Sequence, residues 1–192
     1  MNRTSAVLAG LLVFVFVLPV VARAEDSAPA RDIIAIGPSY SDLQDFGGAW
    51  GVRAQWLHGP WMVQGGWDKV NATVTSSTGL PMSVDGNMWS LDLSYLWWTY
   101  NSMPEEKPGR PDFYYGLGIG AHNIDATWTL TVDPTGGTNA KQVEPSAHVV
   151  VGARWKHFFI DGRYVWCSNF FGYSANGLQG AIGGQWTFGG GE

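Results

Sequence analysis

The chain has 192 residues, a net charge of −5 at pH 7 and one cysteine, Cys167. An acidic balance disfavours nucleic acid as a partner, and a single cysteine excludes both an intramolecular disulfide and a CxxC metal or redox motif. The length provides for one domain with a sizeable core.

The first 24 residues have the features of a secretory signal peptide. Arg3 supplies the positive start, residues 8–21 form a mostly apolar run, and Ala22, Arg23 and Ala24 give a small-x-small cleavage pattern. The run is short of the roughly 20 residues that a membrane anchor needs. We therefore expect an exported protein that begins at Glu25, with 25–31 as a flexible lead.

Eight stretches follow in which apolar residues occupy every second position, the pattern of strands with one apolar and one polar face. Their predicted bounds are 32–40, 48–58, 61–70, 87–100, 112–127, 146–156, 158–167 and 178–188, followed by a flexible tail at 189–192. Gly37 and Pro38 predict a weak point or a bulge in the first strand. Tight turns are predicted at 59–60 and near His157, and long polar loops at 71–86 and 128–145.

One register of these strands is polar and the other is rich in aromatic residues. Strands with an apolar side toward lipid must close, because open sheet edges are not tolerated in a bilayer. The pattern therefore predicts an all-β protein: an eight-stranded antiparallel transmembrane β-barrel with up-and-down meander topology over 32–188. A soluble, ligand-carrying barrel of the lipocalin kind remains an alternative, with the opposite register inside.

The polar register defines the candidate interior residues. Eight strands leave an interior just wide enough for side chains, so we expect a polar plug of paired charges, with a narrow channel as the alternative. Asp161 and Arg163 are neighbours in this register, and Arg154 is expected to join them. His122 and His148 are expected near opposite ends of neighbouring strands; no metal or cofactor is predicted. The predicted network comprises Arg53, Asp92, His122, His148, Arg154, Asp161 and Arg163, and Lys156 shares their register.

The other register places large amphipathic rings near strand ends. Such rings favour the headgroup level of a membrane, which predicts two aromatic girdles. The predicted interface residues are Trp56, Trp61, Trp89, Trp97, Trp155, Trp166 and Trp186.

Three segments, YYGLGIGAHNI, HVVVGARWKHFFIDGRYVW and GLQGAIGGQWTF, resemble strands of the small eight-stranded outer-membrane barrels of Gram-negative bacteria, the OmpA/OmpX-like group. The resemblance implies a monomer in the outer membrane, in contact with its lipids and with lipopolysaccharide. It also implies a structural, adhesion or recognition role, with an external ligand at 71–86 and 128–145. Such chains usually end on an aromatic residue, whereas here four residues follow Phe188.

A weaker resemblance links the end of the seventh strand to PagL-type lipid A deacylase barrels, which carry His-x-Ser-Asn there. Ser168 and Asn169 match the motif, but Trp166 stands where that family has its histidine. A serine hydroxyl without a base in reach is a poor nucleophile. We therefore predict no enzymatic activity, and a lipid-modifying enzyme with Ser168 as nucleophile is the alternative.

Overall fold

A computed structural model describes residues 32–76, 78–98 and 111–188. The predicted signal peptide, the lead at 25–31 and the tail at 189–192 lie outside the described residues, as does most of the charged connection after the fourth strand.

The described chain is a single closed β-barrel. Each strand pairs antiparallel with the next, and the last pairs with the first, so the topology is an up-and-down meander. The predicted eight-stranded antiparallel barrel is confirmed. The strands are β1 (Asp32–Leu43), β2 (Gly47–His58), β3 (Trp61–Thr75), β4 (Pro81–Trp98), β5 (Asp112–Leu130), β6 (Asp133–Trp155), β7 (Phe158–Cys167) and β8 (Gly177–Phe188).

The alternation of the sequence becomes an alternation of burial. Along β1 and β7 every second side chain is buried inside the barrel, while its neighbours point outward. Successive side chains of a strand point to opposite faces, so the period-2 pattern places the charged residues of the middle of the barrel inward and a continuous row of large apolar residues outward. The soluble alternative, with apolar residues filling the centre and charges outside, does not describe this barrel.

The connections between strands lie at two opposite ends of the barrel. We call one the terminal end; it carries Asp32, Phe188 and the short turns 59–60 and 156–157. We call the other the hairpin end; it carries the connections 44–46, 76–80, 131–132 and 168–176. Within the described residues, no helix is long and apolar enough to cross a membrane.

The predicted loops at 71–86 and 128–145 are wrong, because most of these residues continue the strands. Thr73 pairs with Ser83 on β4, and Thr127 of β5 pairs with Asn139 of β6. The segments resemble loops in composition because their outward positions include Thr, Ser, Asn, Asp and Lys. On β3, β4 and β5 the inward residues Val74, Val84 and Trp128 are apolar, and this alternation is a strand pattern with a water-facing side. On β6 the inward positions include Gln142 and Glu144.

These extensions form a four-stranded sheet that rises above the rest of the barrel. β2 pairs with β3 only as far as Lys69, and β7 pairs with β6 only from Ser146 onward. Beyond those points only the four central strands continue. We call the segments 70–75, 81–86, 125–130 and 133–145 the protruding sheet.

Candidate functional site

The barrel interior holds charged side chains in enclosed groups. In the first group, Arg53 forms a two-pronged contact with Asp68, at 3.0 Å to Oδ1 and 2.5 Å to Oδ2. The hydroxyls of Ser39 and Ser41 also donate to this carboxylate. Both charged side chains are 1% exposed, so the ion pair is closed off from solvent.

The second group is centred on Asp92. Arg163 donates to Asp92 Oδ2 at 2.9 Å, while Oδ1 lies 3.4 Å from His122 Nε2 and 3.8 Å from His148 Nδ1. The other ring nitrogen of His148 is 2.7 Å from the hydroxyl of Ser94. The expectation that the two histidines lie near opposite ends of their strands is therefore wrong, because strand stagger brings both imidazoles to one carboxylate.

The third group surrounds Arg154 and differs from the predicted trio. Arg154 donates to Gln185 and Gln55, each at 2.6 Å. Gln55 also donates to Asp161, so Arg154 and Asp161 share an amide as an intermediary. Arg163 pairs with Asp92 across the barrel, because neighbouring inward positions of one strand are not the nearest partners in a cylinder this narrow.

Inward glycines on β5 provide the room for these groups. A Cβ on Gly118 would collide with the imidazole of His148, and one on Gly120 would collide with the carboxylate of Asp92. Gly116 lies in the same way against Leu96. The Gly-x-Gly-x-Gly run therefore marks the inner surface against which the large polar side chains of other strands pack.

Apolar clusters close both ends of this polar interior. At the terminal end the cluster consists of Ile33, Leu57, Met62, Leu96, Tyr114 and Val150. At the hairpin end it includes Leu43, Phe46, Val74, Val84, Met88, Ile124, Trp128 and Phe170. The interior is thus a filled core with a polar middle layer.

Lys156 is the exception among the residues of the polar register. It occupies the tight turn between β6 and β7, with φ of 52°, and is exposed over the ring of Trp155. The turn rotates the backbone, so strand parity no longer fixes the direction of its side chain.

The predicted interface tryptophans all lie on the outer register of the wall. Trp89 at the hairpin side is 56% exposed, and Trp186 at the terminal side is 51% exposed. Neighbouring rings contact each other, as in the Trp97–Tyr115 stack at 5.7 Å. Between the rings the outward side chains are apolar, including Ile34, Leu91, Leu93, Leu117, Ile119 and Ile182.

The outward face changes character where the protruding sheet begins. Trp67 pairs with Trp89 across β3 and β4, and the next outward row contains Lys69, which forms an ion pair with Asp85. In the same region Lys141 faces Asp125 at 3.8 Å. The outward surface thus passes from aromatic to charged within two residues.

The inner face of the protruding sheet is covered by the shorter connections. Trp128 stacks on Tyr173 at 5.4 Å, and Phe46 lies edge-on to Trp128 at 6.2 Å. Phe171 holds a left-handed φ of 51° in the β7–β8 connection and packs against Trp128. The inner face of the protruding sheet is therefore covered by other side chains, and its outward face and its edges are the surfaces that a ligand could reach.

One edge of the protruding sheet lies on β6. Near the barrel this edge is tied down, because the β7–β8 connection bonds to it through Gln142 and Pro145. Asp133 and residues 138–141 pair with β5 on one side only, and the register shift between Trp128 and Leu130 leaves 134–137 as a bulge outside the β5–β6 ladder. At their tip, the hydroxyl and backbone N–H of Thr135 donate to Asp133 and lower the pKa of that exposed carboxyl. We call 133–141 the open edge.

Ser168 lies outside any arrangement that would activate it. Its backbone N–H donates to Pro145, while Asn176 caps the preceding residue through the N–H of Cys167. His148 is engaged inside the barrel with Ser94, and no hydrogen bond among the described residues joins Ser168 to a histidine. The Ser-Asn pair is part of the turn into the β7–β8 connection.

Comparison with solved structures finds the same architecture. Neisserial surface protein A has 13% sequence identity and a TM-score of 0.50, with 80% of this chain and 94% of that chain covered. The chain has the fold of the small OmpA/OmpX-like barrels. The attachment invasion locus protein Ail of Yersinia pestis is also similar, at 14% identity and a TM-score of 0.49, covering 84% of this chain and all of Ail.

Ail has also been solved in complex with the heparin analogue sucrose octasulfate, and that structure has 15% identity to this chain and a TM-score of 0.48. No protein-family model matches the chain, and no curated protein sequence does. Likeness at this level of identity establishes the fold alone.

Proposed function

We propose that this protein is an integral outer-membrane barrel that presents the protruding sheet outside the cell as a recognition or adhesion surface. The observation that carries the proposal is the change along the outward face. An apolar wall bounded by tryptophans suits hydrocarbon and headgroups, and the charged row at Lys69 and Asp85 suits water.

The open edge supplies the recognition element. An unpaired strand edge exposes backbone N–H and C=O groups, and proteins recognise extended segments by adding a strand to such an edge. The outward face adds Thr, Ser and Asn side chains, which suit polar contacts. We propose an extended polypeptide segment as the ligand, bound beside 133–141.

Charge on the hairpin end argues against a polysulfated ligand for this chain. Among the described residues of this end, the exposed lysines are Lys69 and Lys141, and each forms an ion pair with an aspartate. A conducting channel is also disfavoured, because large side chains such as Arg53, Phe159 and Leu96 fill the interior. A lipid A deacylase activity is disfavoured as well, because no histidine among the described residues is hydrogen-bonded to Ser168 to activate it.

Orientation and membrane insertion are tested together by labelling single cysteines with a membrane-impermeant maleimide. Thr131→Cys, in the β5–β6 turn, is expected to label on intact cells. His157→Cys, in a turn at the terminal end, is expected to label only after lysis. Native Cys167 is buried and provides the background. Equal labelling of both sites on intact cells, or recovery of the protein in the soluble fraction, would contradict the proposal.

Recognition is tested by shortening the protruding sheet without touching its core. Residues 129–137 are replaced by Asn-Gly, which joins the paired residues Trp128 and Thr138 through a two-residue hairpin turn. The control replaces only 131–132 by Asn-Gly and keeps full height. Cells displaying the control are expected to adhere to epithelial monolayers severalfold better than cells displaying the shortened form. Equal adherence, or none by either, would contradict a recognition role.

A further inference from the structure

The backbone of β6 shows where an added strand would bond beside the open edge. The N–H of Ser168 donates to the carbonyl of Pro145, so the backbone groups of Pro145 face away from β5. In a regular strand, the backbone groups of every second residue point to the same side. The N–H and C=O groups of Asn139, Lys141 and Val143 therefore face the open side, where no strand of the described chain pairs with them.

Phe171 provides an aromatic surface beside these groups. Its N–H donates to the side-chain oxygen of Gln142 at 2.7 Å, and its ring packs against Trp128 with centroids 5.3 Å apart. Trp128 pairs with Thr138, so the ring lies on the inner side of β6 between Thr138 and Gln142, where the inward residue is the small Ala140. Phe171 is 39% exposed. An added strand would therefore meet this ring with its inward side chains.

The backbone of Phe171 indicates that the ring is held at this place. Its φ of 51° lies in the left-handed region, which residues other than glycine rarely adopt. Outliers of this kind persist where surrounding contacts hold them, and they cluster at ligand contacts. The outlier thus marks the ring as a candidate contact for a ligand side chain.

Gln142 joins this aromatic residue to a carboxylate. Its side-chain nitrogen donates to Glu144 while its side-chain oxygen accepts from Phe171, so a single amide separates the two. Glu144 is partly exposed and has no salt-bridge partner among the described residues. A guanidinium suits this combination, because it stacks on aromatic rings and donates parallel hydrogen bonds to carboxylates.

The exposed charges of the hairpin end are predominantly negative. Its described lysines, Lys69 and Lys141, are each paired with an aspartate. Four further carboxylates have no salt-bridge partner within the described chain: Asp42, Asp45, Asp133 and Glu144. Since the two ion pairs cancel, these four carboxylates leave a net charge of −4. This charge attracts basic ligands and repels a second copy of the chain, whose hairpin end carries the same charge.

We propose that the open edge binds a basic, extended polypeptide segment as an added strand, with one arginine turned inward onto Phe171 and Glu144. The ligand backbone bonds to the groups of Lys141 and its neighbours that face the open side. Residues opposite each other in a ladder share a face, so the ligand residue opposite Gln142 points inward, toward the ring and the carboxylate. The inference rests on the proposed function, because it names the chemical class of the segment that the open edge recognises.

Two substitutions remove the arginine contacts and leave the strands in place. Phe171→Asn removes the ring, and asparagine tolerates the left-handed backbone. Glu144→Gln removes the charge and keeps an oxygen that accepts from Gln142. Asp42→Asn is the matched control for charge, because Asp42 is an unpaired carboxylate on β1, which is not a neighbour of β6.

A second pair of variants tests strand addition itself. The N–H of Lys141 faces the open side, so Lys141→Pro removes a donor from the ligand without removing a bond of the β5–β6 ladder. Lys141→Ala is its control, because it loses the same charge and keeps the N–H. Each variant is first checked for folding by its faster electrophoretic migration before boiling.

The probe is a short peptide of alternating threonine and valine with one central arginine, labelled with an uncharged dye. A matched peptide carries citrulline, the neutral analogue of arginine. Fluorescence anisotropy measures the binding of both to the full mature chain folded in a non-ionic detergent. Wild type, Asp42→Asn and Lys141→Ala are expected to bind the arginine peptide about tenfold more tightly than the citrulline peptide. Glu144→Gln and Phe171→Asn should reduce this preference to about twofold, and Lys141→Pro should weaken the binding of both peptides about tenfold.

Equal binding of the two peptides by wild type would overturn the arginine assignment, and equal effects of Lys141→Pro and Lys141→Ala would overturn strand addition. The proposed function is tested separately, by cysteine labelling and by the shortened sheet. A barrel that passes both of those tests and binds neither peptide overturns this inference alone. A shortened form that adheres as well as its control overturns the proposed function, and this inference fails with it.

Discussion

Arg53 on β2 and Asp68 on β3 meet diagonally across neighbouring strands as an ion pair enclosed by the barrel, with Arg53 Nη2 2.5 Å from Asp68 Oδ2. Such a pair contributes little compared with a well-packed apolar core, but removal of one partner leaves an uncompensated buried charge. The stability of the barrel therefore depends on the presence of both partners of each buried ion pair.

Arg53→Met is expected to lower the free energy of unfolding by about 3–5 kcal/mol, because the Asp68 carboxylate stays buried without its cation. The double variant Arg53→Met/Asp68→Leu is expected to recover much of that loss. Urea unfolding in detergent, followed by tryptophan fluorescence, measures both. Lys69→Met, which breaks the exposed pair with Asp85, serves as control and should cost at most about 1 kcal/mol. An equal loss for Arg53→Met and Lys69→Met would contradict the enclosed pairing.

Gly120→Ala is expected to destabilise the barrel by about 1–3 kcal/mol through overpacking, because its new methyl group would meet the Asp92 carboxylate and the backbone of Leu91. Gly65→Ala adds the same methyl group on the outward face, where nothing lies within 4 Å. The same unfolding assay should show little change for this control. Two indistinguishable unfolding curves would mean that the β5 glycines do not make room for the interior.

Lys156→Gly is expected to stabilise the protein by less than about 1 kcal/mol, because the backbone strain that it relieves is partly offset by the greater chain entropy of glycine in the unfolded state. Lys156 holds a φ of 52°, a left-handed conformation that costs a residue other than glycine roughly 1–2 kcal/mol. The cation–π contact with Trp155 is lost, which offsets part of the gain. The unfolding midpoint in urea should rise, and a fall would show that the contact outweighs the backbone strain.

Heparin–agarose is expected not to retain the folded protein at physiological ionic strength. The exposed lysines of the hairpin end are neutralised by Asp85 and Asp125. Asp85→Asn/Asp125→Asn frees both lysines and should delay elution at low salt, with the delay lost as salt rises. Salt-sensitive retention of the wild type would contradict the charge argument.

The strand pattern predicted the barrel because each stretch is long enough for its period to be read without ambiguity. The wall over β1, β2, β7 and β8 was predicted nearly to its observed bounds. The protruding sheet was missed because polar outward residues such as Thr73 and Asn139 resemble loop composition. The apolar alternation of Val74, Val84 and Trp128 inside these segments was the signal that would have identified them.

The interior partners were harder to predict than the interior residues. Strand parity indicates that a side chain points inward, but the partner across the barrel depends on stagger and tilt, which one sequence does not contain. Arg163 thus binds Asp92, 71 residues away, and not the adjacent Asp161. Gln55 and Gln185 link Arg154 to the rest, and their inward positions between charged residues were an available signal.

The most direct test of the central claim, an apolar wall in lipid around a sealed polar core, is the electrophoretic mobility of the membrane-fraction protein before and after boiling. We expect the unboiled protein to remain in the carbonate-washed membrane pellet and to migrate faster than the boiled form. Identical mobility of the two samples, together with release of the protein by carbonate, would contradict the account.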